Sequence, residues 1–282
     1  LVRYAFPVIG DTPIADVDVH MVLAVLTRDD AWKQRNETMR RVRGRIERIL
    51  GAAAVLGLRG AENPARFANF LSEVLPRSKQ VALVKHHPSL PFEEMPRFVR
   101  LIRLESAVSY RALEFLTLTA TRTSEVTGAT WSEIDWDGMV WTVPAARMKA
   151  GRPHRVPLSE QAARILQEQR RKSSTAYVFP GAKRGHPLSQ MAMLQAMRGM
   201  RERGLIEAEA VPHGQRAAFR TWAATATEFP RELAEAALAH SLSALEQSYQ
   251  RGDQLERRRA LMEAGGAYCD GRAAVQGESR LV

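Results

Sequence analysis

His213-Gly214-Gln215-Arg216, read with Tyr249 downstream, His240 between them, and Arg122 and Lys149 far upstream, is the stretch from which the rest of this chain can be understood. His-x-x-Arg at the start of a helix puts both side chains on one face. Free backbone N–H groups at such a helix start also favour an anion. Arginine offers a planar, permanently charged fork for phosphate oxygens, so Arg122 and Arg216 together describe a clamp for a phosphodiester. A tyrosine can attack the clamped phosphorus and keep the strand end as a covalent ester. Such chemistry needs no metal and no nucleotide cofactor.

The surrounding words extend the pattern. Thr119-Ala120-Thr121-Arg122-Thr123-Ser124-Glu125-Val126 is followed by Arg147-Met148-Lys149-Ala150-Gly151-Arg152 and His154-Arg155-Val156-Pro157-Leu158. Phe219-Arg220-Thr221-Trp222-Ala223, Leu238-Ala239-His240 and Tyr249-Gln250-Arg251 come next, then Glu256 to Met262. Upstream stand Tyr4 to Asp11 and Arg41 to Glu47. In this order the set resembles the tyrosine recombinases, with wording closest to integrases of satellite phages and genomic islands, and it covers nearly the whole chain.

The resemblance implies a role for each residue. Arg122 and Arg216 would hold the scissile phosphate, Lys149 would protonate the departing 5′ oxygen, and His213 would act as a base or hydrogen-bond partner. His240 would bind the phosphate and Tyr249 would be the nucleophile, with Glu125 orienting the site. Bland alternatives exist for each. Arg122 with Glu125 also describes a surface salt bridge, Lys149 a solvated turn lysine, His240 a helix C-cap, and Tyr249 a buried structural phenol. Gln215 stands where relatives often carry an aromatic, and Gly265-Gly266 where a Trp-Ala pair is expected. That pair of glycines should weaken the last helix and its docking on a neighbouring protomer.

Composition agrees with a polyanionic partner. Lys and Arg number 41 against 31 Asp and Glu, a formal charge of +10, with a pI near 10.3. Double-stranded DNA fits this balance better than an anionic membrane. No apolar run approaches the roughly 18 residues that a spanning helix requires, and no signal segment opens the chain. A bacterial cytoplasmic, nucleoid-associated protein is expected. The single cysteine, Cys269, cannot form an internal disulfide and has no companion for a metal site.

The chain of 282 residues is long enough for two cores. The expected fold is mainly α with a small antiparallel β-sheet. Residues 1–77 read as a helical core DNA-binding domain that looks cut at its start, 78–92 as a linker, and 93–282 as a tyrosine-recombinase catalytic domain with a C-terminal helix and tail. Met39, Val42, Ile46, Ile49, Leu50 and Ala53 form one stripe of a helix whose other side carries Arg40, Arg41, Arg43, Arg45 and Arg48. A solvated face is one reading of those arginines, and contact with DNA phosphates is the reading that the resemblance implies.

Met139 to Pro144 and Pro153 to Leu158 alternate like two strands of a hairpin with Lys149 near its tip, and another strand is expected at Tyr177 to Pro180. The resemblance further implies a homotetramer on synapsed attachment sites, with a host DNA-bending factor or an excisionase as possible accessories. A type IB topoisomerase would share the chemistry without synapsis. A non-catalytic DNA-binding regulator would share only the charge.

Overall fold

The computed structural model describes residues 1–76, 88–240 and 253–272. Two compact units divide at His86 and His87. The region expected as a linker is divided too. Residues 77–87 lie outside the described set, whereas Leu90 is buried in the core of the second unit.

The first unit is helical. Asp18 caps α1 (Val19–Thr27), its carboxylate accepting from the Met21 N–H at 2.8 Å, as the sequence suggests. A single turn at Ala31–Gln34 follows, and the chain bends at Arg35 before α2 (Asn36–Val55). Met39, Val42, Ile46, Leu50 and Ala53 are buried, but Ile49 is 46% exposed and does not belong to the packed stripe. Trp32 stacks on Phe67 and donates its indole N–H to the Pro76 carbonyl. The end of the unit is thereby fixed to its middle.

The second unit is built around a helix with no solvent face. After α3 (Met95–Arg103) comes α4 (Val108–Thr119), in which every residue from Ala112 to Thr119 is buried. In sequence, Ala112, Phe115, Leu116 and Thr119 recur at the spacing of a single face. Burial all round instead marks a central helix. Glu114 is charged yet 1% exposed, and Arg103 at 2.5 Å and Arg111 at 2.8 Å match it. Arg103 also reaches Asp270 at 2.7 Å, which ties the end of the last helix to the core.

The short α5 (Thr123–Thr127) leads to a three-stranded antiparallel sheet of β1 (Ile134–Asp135), β2 (Val140–Val143) and β3 (His154–Pro157) in that order. Trp141 pairs with Val156, and Val143 with His154. The segment from Tyr177 to Pro180 forms only isolated bridges, to Thr130 and Pro187, rather than a further strand. Helices α6 (Glu160–Lys172), α7 (Ala192–Glu202), α8 (Gly214–Thr225), α9 (Arg231–Ala237) and α10 (Leu255–Cys269) complete the unit.

Helix α10 contains the two glycines expected to weaken it. It runs straight through Gly265 and Gly266 and packs on its own unit. A Cβ on Gly265 would lie 3.4 Å from the Trp222 ring, and one on Gly266 would lie 2.2 Å from Gln161 Oε1. Gly266 therefore permits a close approach to Gln161, while Gly265 leaves only ordinary contact with Trp222. Cys269 is buried on the same helix, and burial pushes its thiol up to about 12, which leaves it unreactive. No described helix is long and apolar enough to cross a membrane.

Gly214 shows a second close approach, because a Cβ there would sit 2.2 Å from the Pro88 carbonyl oxygen and 2.8 Å from Ser89 Cα. Ser89 Oγ donates to the Gly214 carbonyl at 2.8 Å. Alanine is normally the better helix former by about 1 kcal/mol. Here Gly214→Ala should instead lower stability by about 1–3 kcal/mol, since backbone has to move. Thermal unfolding of the variant checks the sign, and a gain in stability contradicts the contact.

Candidate active site

Arg216, in the first turn of α8, is 4% exposed. Its guanidinium donates to the carbonyls of Ala120 and Leu238, the latter at 2.6 Å, and reaches His240 Nε2 at 3.2 Å. Three distant segments meet at one side chain. Ala120 and Ala239 both occupy the left-handed region, at φ 51° and 49°, a conformation that costs an alanine roughly 1–2 kcal/mol. Each corner aims a carbonyl at an arginine. Arg216 takes Ala120, while Arg122 Nη2 lies 3.5 Å from the oxygen of Ala239.

Arg122 stands at the N-cap of α5. Glu125, 1% exposed, accepts from both the backbone N–H and Nη1 of Arg122 at 2.8 Å. The salt bridge and the site are therefore the same contact. Burial and then the Arg122 charge lower the Arg216 guanidinium to about 10, with Glu125 opposing them.

His240 is oriented from both sides. Nδ1 donates to Glu235 Oε2 at 2.6 Å, which leaves Nε2 as acceptor for Arg216. Burial works against the Glu235 carboxylate, but hydrogen bonds from His240 and Arg220 prevail and hold it below its usual range. Nothing in the sequence singled out Glu235. It sits among helix-forming alanines, and only the return of the chain after α9 faces it toward the imidazole.

His213 is exposed at the N-cap of α8. The backbone reading of this helix start fails, because the N–H groups of Gly214, Gln215 and Arg216 already donate to Val211, Pro212 and His213 carbonyls. Any anion here is left to side chains. Gln215 is 1% exposed, and its amide makes no hydrogen bond among the described residues. It borders a cavity lined by Phe219, Trp222, Gly265 and Tyr268. Lys149 is an exposed turn residue between β2 and β3. Tyr249 lies outside the described residues.

Two supporting residues were visible in the motifs but not understood from them. His154 on β3 is 9% exposed and bonds the Ala237 carbonyl through Nε2 at 3.2 Å, directly before the Leu238 to His240 corner. Arg258 was read as part of a basic helix face, yet it is 1% exposed. It donates to the Arg155 and Asp253 carbonyls, each at 2.7 Å.

The arginine face of α2 is not uniform. Arg43 is half-buried, pairs with Glu47 at 2.6 Å, donates to the Ala65 carbonyl and covers the Phe67 ring. It holds the first unit together. Arg40 and Arg41 are exposed and share Glu37, Arg45 is exposed, and Arg48 touches the Gly44 carbonyl. Among the described residues no cluster of three metal-binding side chains occurs.

A helical unit with a three-stranded sheet that brings Arg122, Arg216 and His240 together has the catalytic fold of tyrosine recombinases. The family model described as "phage integrase family" matches residues 88–255, and that of the "phage integrase central domain" matches 1–69. This chain belongs to the phage integrase family.

It is 32% identical to prophage integrase IntZ of Escherichia coli strain K12 over 265 residues, which cover 93% of this chain and 62% of that protein. Prophage integrase IntA of the same strain is 32% identical with the same coverage. The chain thus spans about 62% of the length of these relatives. Among solved structures, a lambda integrase fragment bound to a core site superposes with TM-score 0.64 at 15% identity, covering 90% of this chain and 86% of that one. The Tn1549 transposon integrase gives 0.60 at 20% identity, covering 90% and 87%.

His154 makes a pH prediction. Burial, followed by the nearby Arg258 charge, lowers its imidazole to about 4, and Glu125, the Ala237 carbonyl and Arg216 contribute smaller effects. The unfolded chain has an ordinary value near 6.5 and so binds the proton first as pH falls. Stability is therefore full above about 6.5 and declines toward pH 4, by about 3 kcal/mol in all. His154→Gln, which keeps a donor for Ala237, should flatten this acid limb in denaturant melts from pH 7 to 4. An unchanged limb assigns it to other groups.

Proposed function

We propose that this chain is the DNA-cleaving and rejoining part of a site-specific recombinase that integrates or excises a mobile element in the bacterial cytoplasm. The observation that carries the reading is the convergence of Arg122, Arg216 and His240 beside one buried carboxylate. Two guanidinium charges against one Glu125 leave a positive centre, and a phosphodiester supplies the missing negative charge.

In the proposed reaction Arg122 and Arg216 stabilise the charge that develops on the non-bridging oxygens. The Tyr249 phenol oxygen attacks phosphorus and passes its proton to His213, while the bond to the 5′ oxygen breaks. Lys149 donates a proton to that oxygen, an assignment suited to an exposed ammonium at the tip of a hairpin. The products are a 3′-phosphotyrosine and a free 5′ hydroxyl. A 5′ hydroxyl from the partner duplex then attacks the same phosphorus and releases the tyrosine.

Two such exchanges between paired attachment sites make recombinants through a Holliday junction. A homotetramer suits this, and a lambda integrase structure of the same fold is a tetramer on a Holliday junction. A host DNA-bending factor or an excisionase would set direction. In the domain reading, 1–77 contacts DNA and the second unit catalyses, with residues from 88 onward packed into that unit rather than linking.

Tyr249→Phe should bind duplex DNA and form no covalent adduct on a nicked suicide substrate. Lys149→Ala should cleave poorly on the normal substrate and recover when the 5′-bridging oxygen is replaced by sulfur, which leaves without a proton. Denaturing gels of both reactions decide this. An adduct from the phenylalanine variant reassigns the nucleophile, and absence of sulfur rescue removes Lys149 as the acid.

The exposed arginines of α2 predict salt dependence, with Arg43 set aside because it is engaged inside its own unit. Loss of Arg41 and Arg45 together should flatten the slope of log affinity against log salt by up to about two units, if each contacts a phosphate. Cleavage at saturating protein should hardly change. Salt titrations of the Arg41→Ala, Arg45→Ala double variant measure it, and an identical slope makes this face merely solvated.

A further inference from the structure

Strand β3 grips the chain on both sides of residues 241–252. On the upstream side, His154 Nε2 bonds the Ala237 carbonyl at 3.2 Å, and Arg216 and Arg122 hold the next two carbonyls. On the downstream side, the neighbouring residue Arg155 offers its carbonyl to Arg258 Nη1 at 2.7 Å, and Arg258 Nε donates to the Asp253 carbonyl at the same distance. The Asp253 carboxylate lies 3.3 Å from Arg258 Nη2 and 3.4 Å from Arg155 Nη1. Two consecutive residues of one strand thus fasten two points of the chain separated by the whole 241–252 stretch.

A guanidinium that is 1% exposed is not placed there for packing. Burying a charge costs several kcal/mol unless its donors are matched, and Leu261, Met262 and Tyr268 already fill the apolar side of α10. What Arg258 contributes is two directional bonds to main-chain carbonyls, one on β3 and one at Asp253. Chain geometry makes the second the stronger constraint on Tyr249. Asp253 is four residues beyond it and His240 nine before it. At about 3.6 Å per residue, Tyr249 Cα stays within about 14 Å of Asp253 Cα, against about 32 Å from His240.

We propose that Arg258 is a positioning residue for strand cleavage, holding Asp253 on β3 so that the tyrosine four residues earlier has a short leash to the clamp. This rests on the reading of Tyr249 as nucleophile. The same β2–β3 hairpin carries Lys149 at its tip, so one element places the leaving-group acid and tethers the nucleophile. Orientation of reacting groups governs rate rather than affinity, and misplacement by about 1 Å can cost on the order of a hundredfold.

The test uses the full chain and compares wild type with Arg258→Met, Arg258→Lys and Asp253→Ala. Three quantities are read: the unfolding temperature, the affinity for one duplex, and the single-turnover rate of covalent adduct formation at saturating protein. Arg258→Met should slow adduct formation by about tenfold or more with affinity within about twofold, and Arg258→Lys should restore part of the rate because one donor survives. Where Arg258→Met lacks a cooperative unfolding transition, Arg258→Lys takes its place, because an ammonium keeps the charge without making both carbonyl bonds. Asp253→Ala removes only the carboxylate contacts of a side chain that is 42% exposed and leaves the carbonyl in place. It should keep the wild-type unfolding temperature and slow adduct formation by about threefold.

A folded Arg258 variant that cleaves bound DNA at the wild-type rate overturns the proposal. So does a parallel fall of affinity and rate, which indicates a structural role alone. A wild type that binds DNA without forming any adduct overturns the nucleophile reading and this proposal with it, and is thus distinguished from failure of the anchor by itself.

Discussion

Arg216 is committed to the protein's own backbone before any phosphate arrives. Its bonds to Ala120 and Leu238 close two chain reversals that have no glycine to ease them. The left-handed alanines at 120 and 239 are strained by themselves, and the guanidinium offsets that strain with charge-assisted hydrogen bonds, about twice as strong as neutral ones. Arg122 follows from the same corner, because Ala120 ends α4 and sets the direction in which the next residues leave. Glu125 then fixes Arg122 by its backbone and its side chain together. Position, charge and strain at this site form one system.

The remainder of the second unit serves to keep that system from relaxing. Helix α4 is buried all round, so the Ala120 corner is attached to the least mobile part of the core. Helix α10 closes over α8 through Gly265 against Trp222, and Asp270 at its end joins Arg103 and Gln161. Gly214 lets residues 88 and 89 cross the start of α8. Each contact limits a different movement of the helix that carries Arg216.

How far this was legible follows from the kind of signal each residue gives. Arg122, His-x-x-Arg and His240 could be read because they sit in short, ordered motifs, and the helix spans followed from apolar periodicity and the Asp18 cap. Glu235, by contrast, works only through contact across a chain reversal, which leaves no local pattern. Arg258 looked like one of several solvated arginines because charge runs do not tell which member turns inward. Gly266 gives a related case, since its close neighbour Gln161 is far away in sequence. Helix propensity is a local quantity, and the sign of a glycine's effect depends on what lies opposite its missing side chain. The amides at the start of α8 seemed free because the turn at 211–213, which consumes them, is not written in the helix sequence.

The electrostatics of the clamp constrain where its pH response comes from. Burial and the neighbouring Arg122 charge bring Arg216 down to about 10, yet that leaves it protonated throughout the neutral range. Two guanidinium groups therefore stay charged side by side with one carboxylate between them, and their mutual repulsion is relieved when an anion binds. A ligand that binds the folded state alone stabilises it, so a bound phosphodiester should tighten the very contacts that hold the Ala120 and Ala239 corners. On the proposed reading, substrate binding and site rigidity are then the same event. Arg216 on that reading lends cleavage no pH dependence in the neutral range.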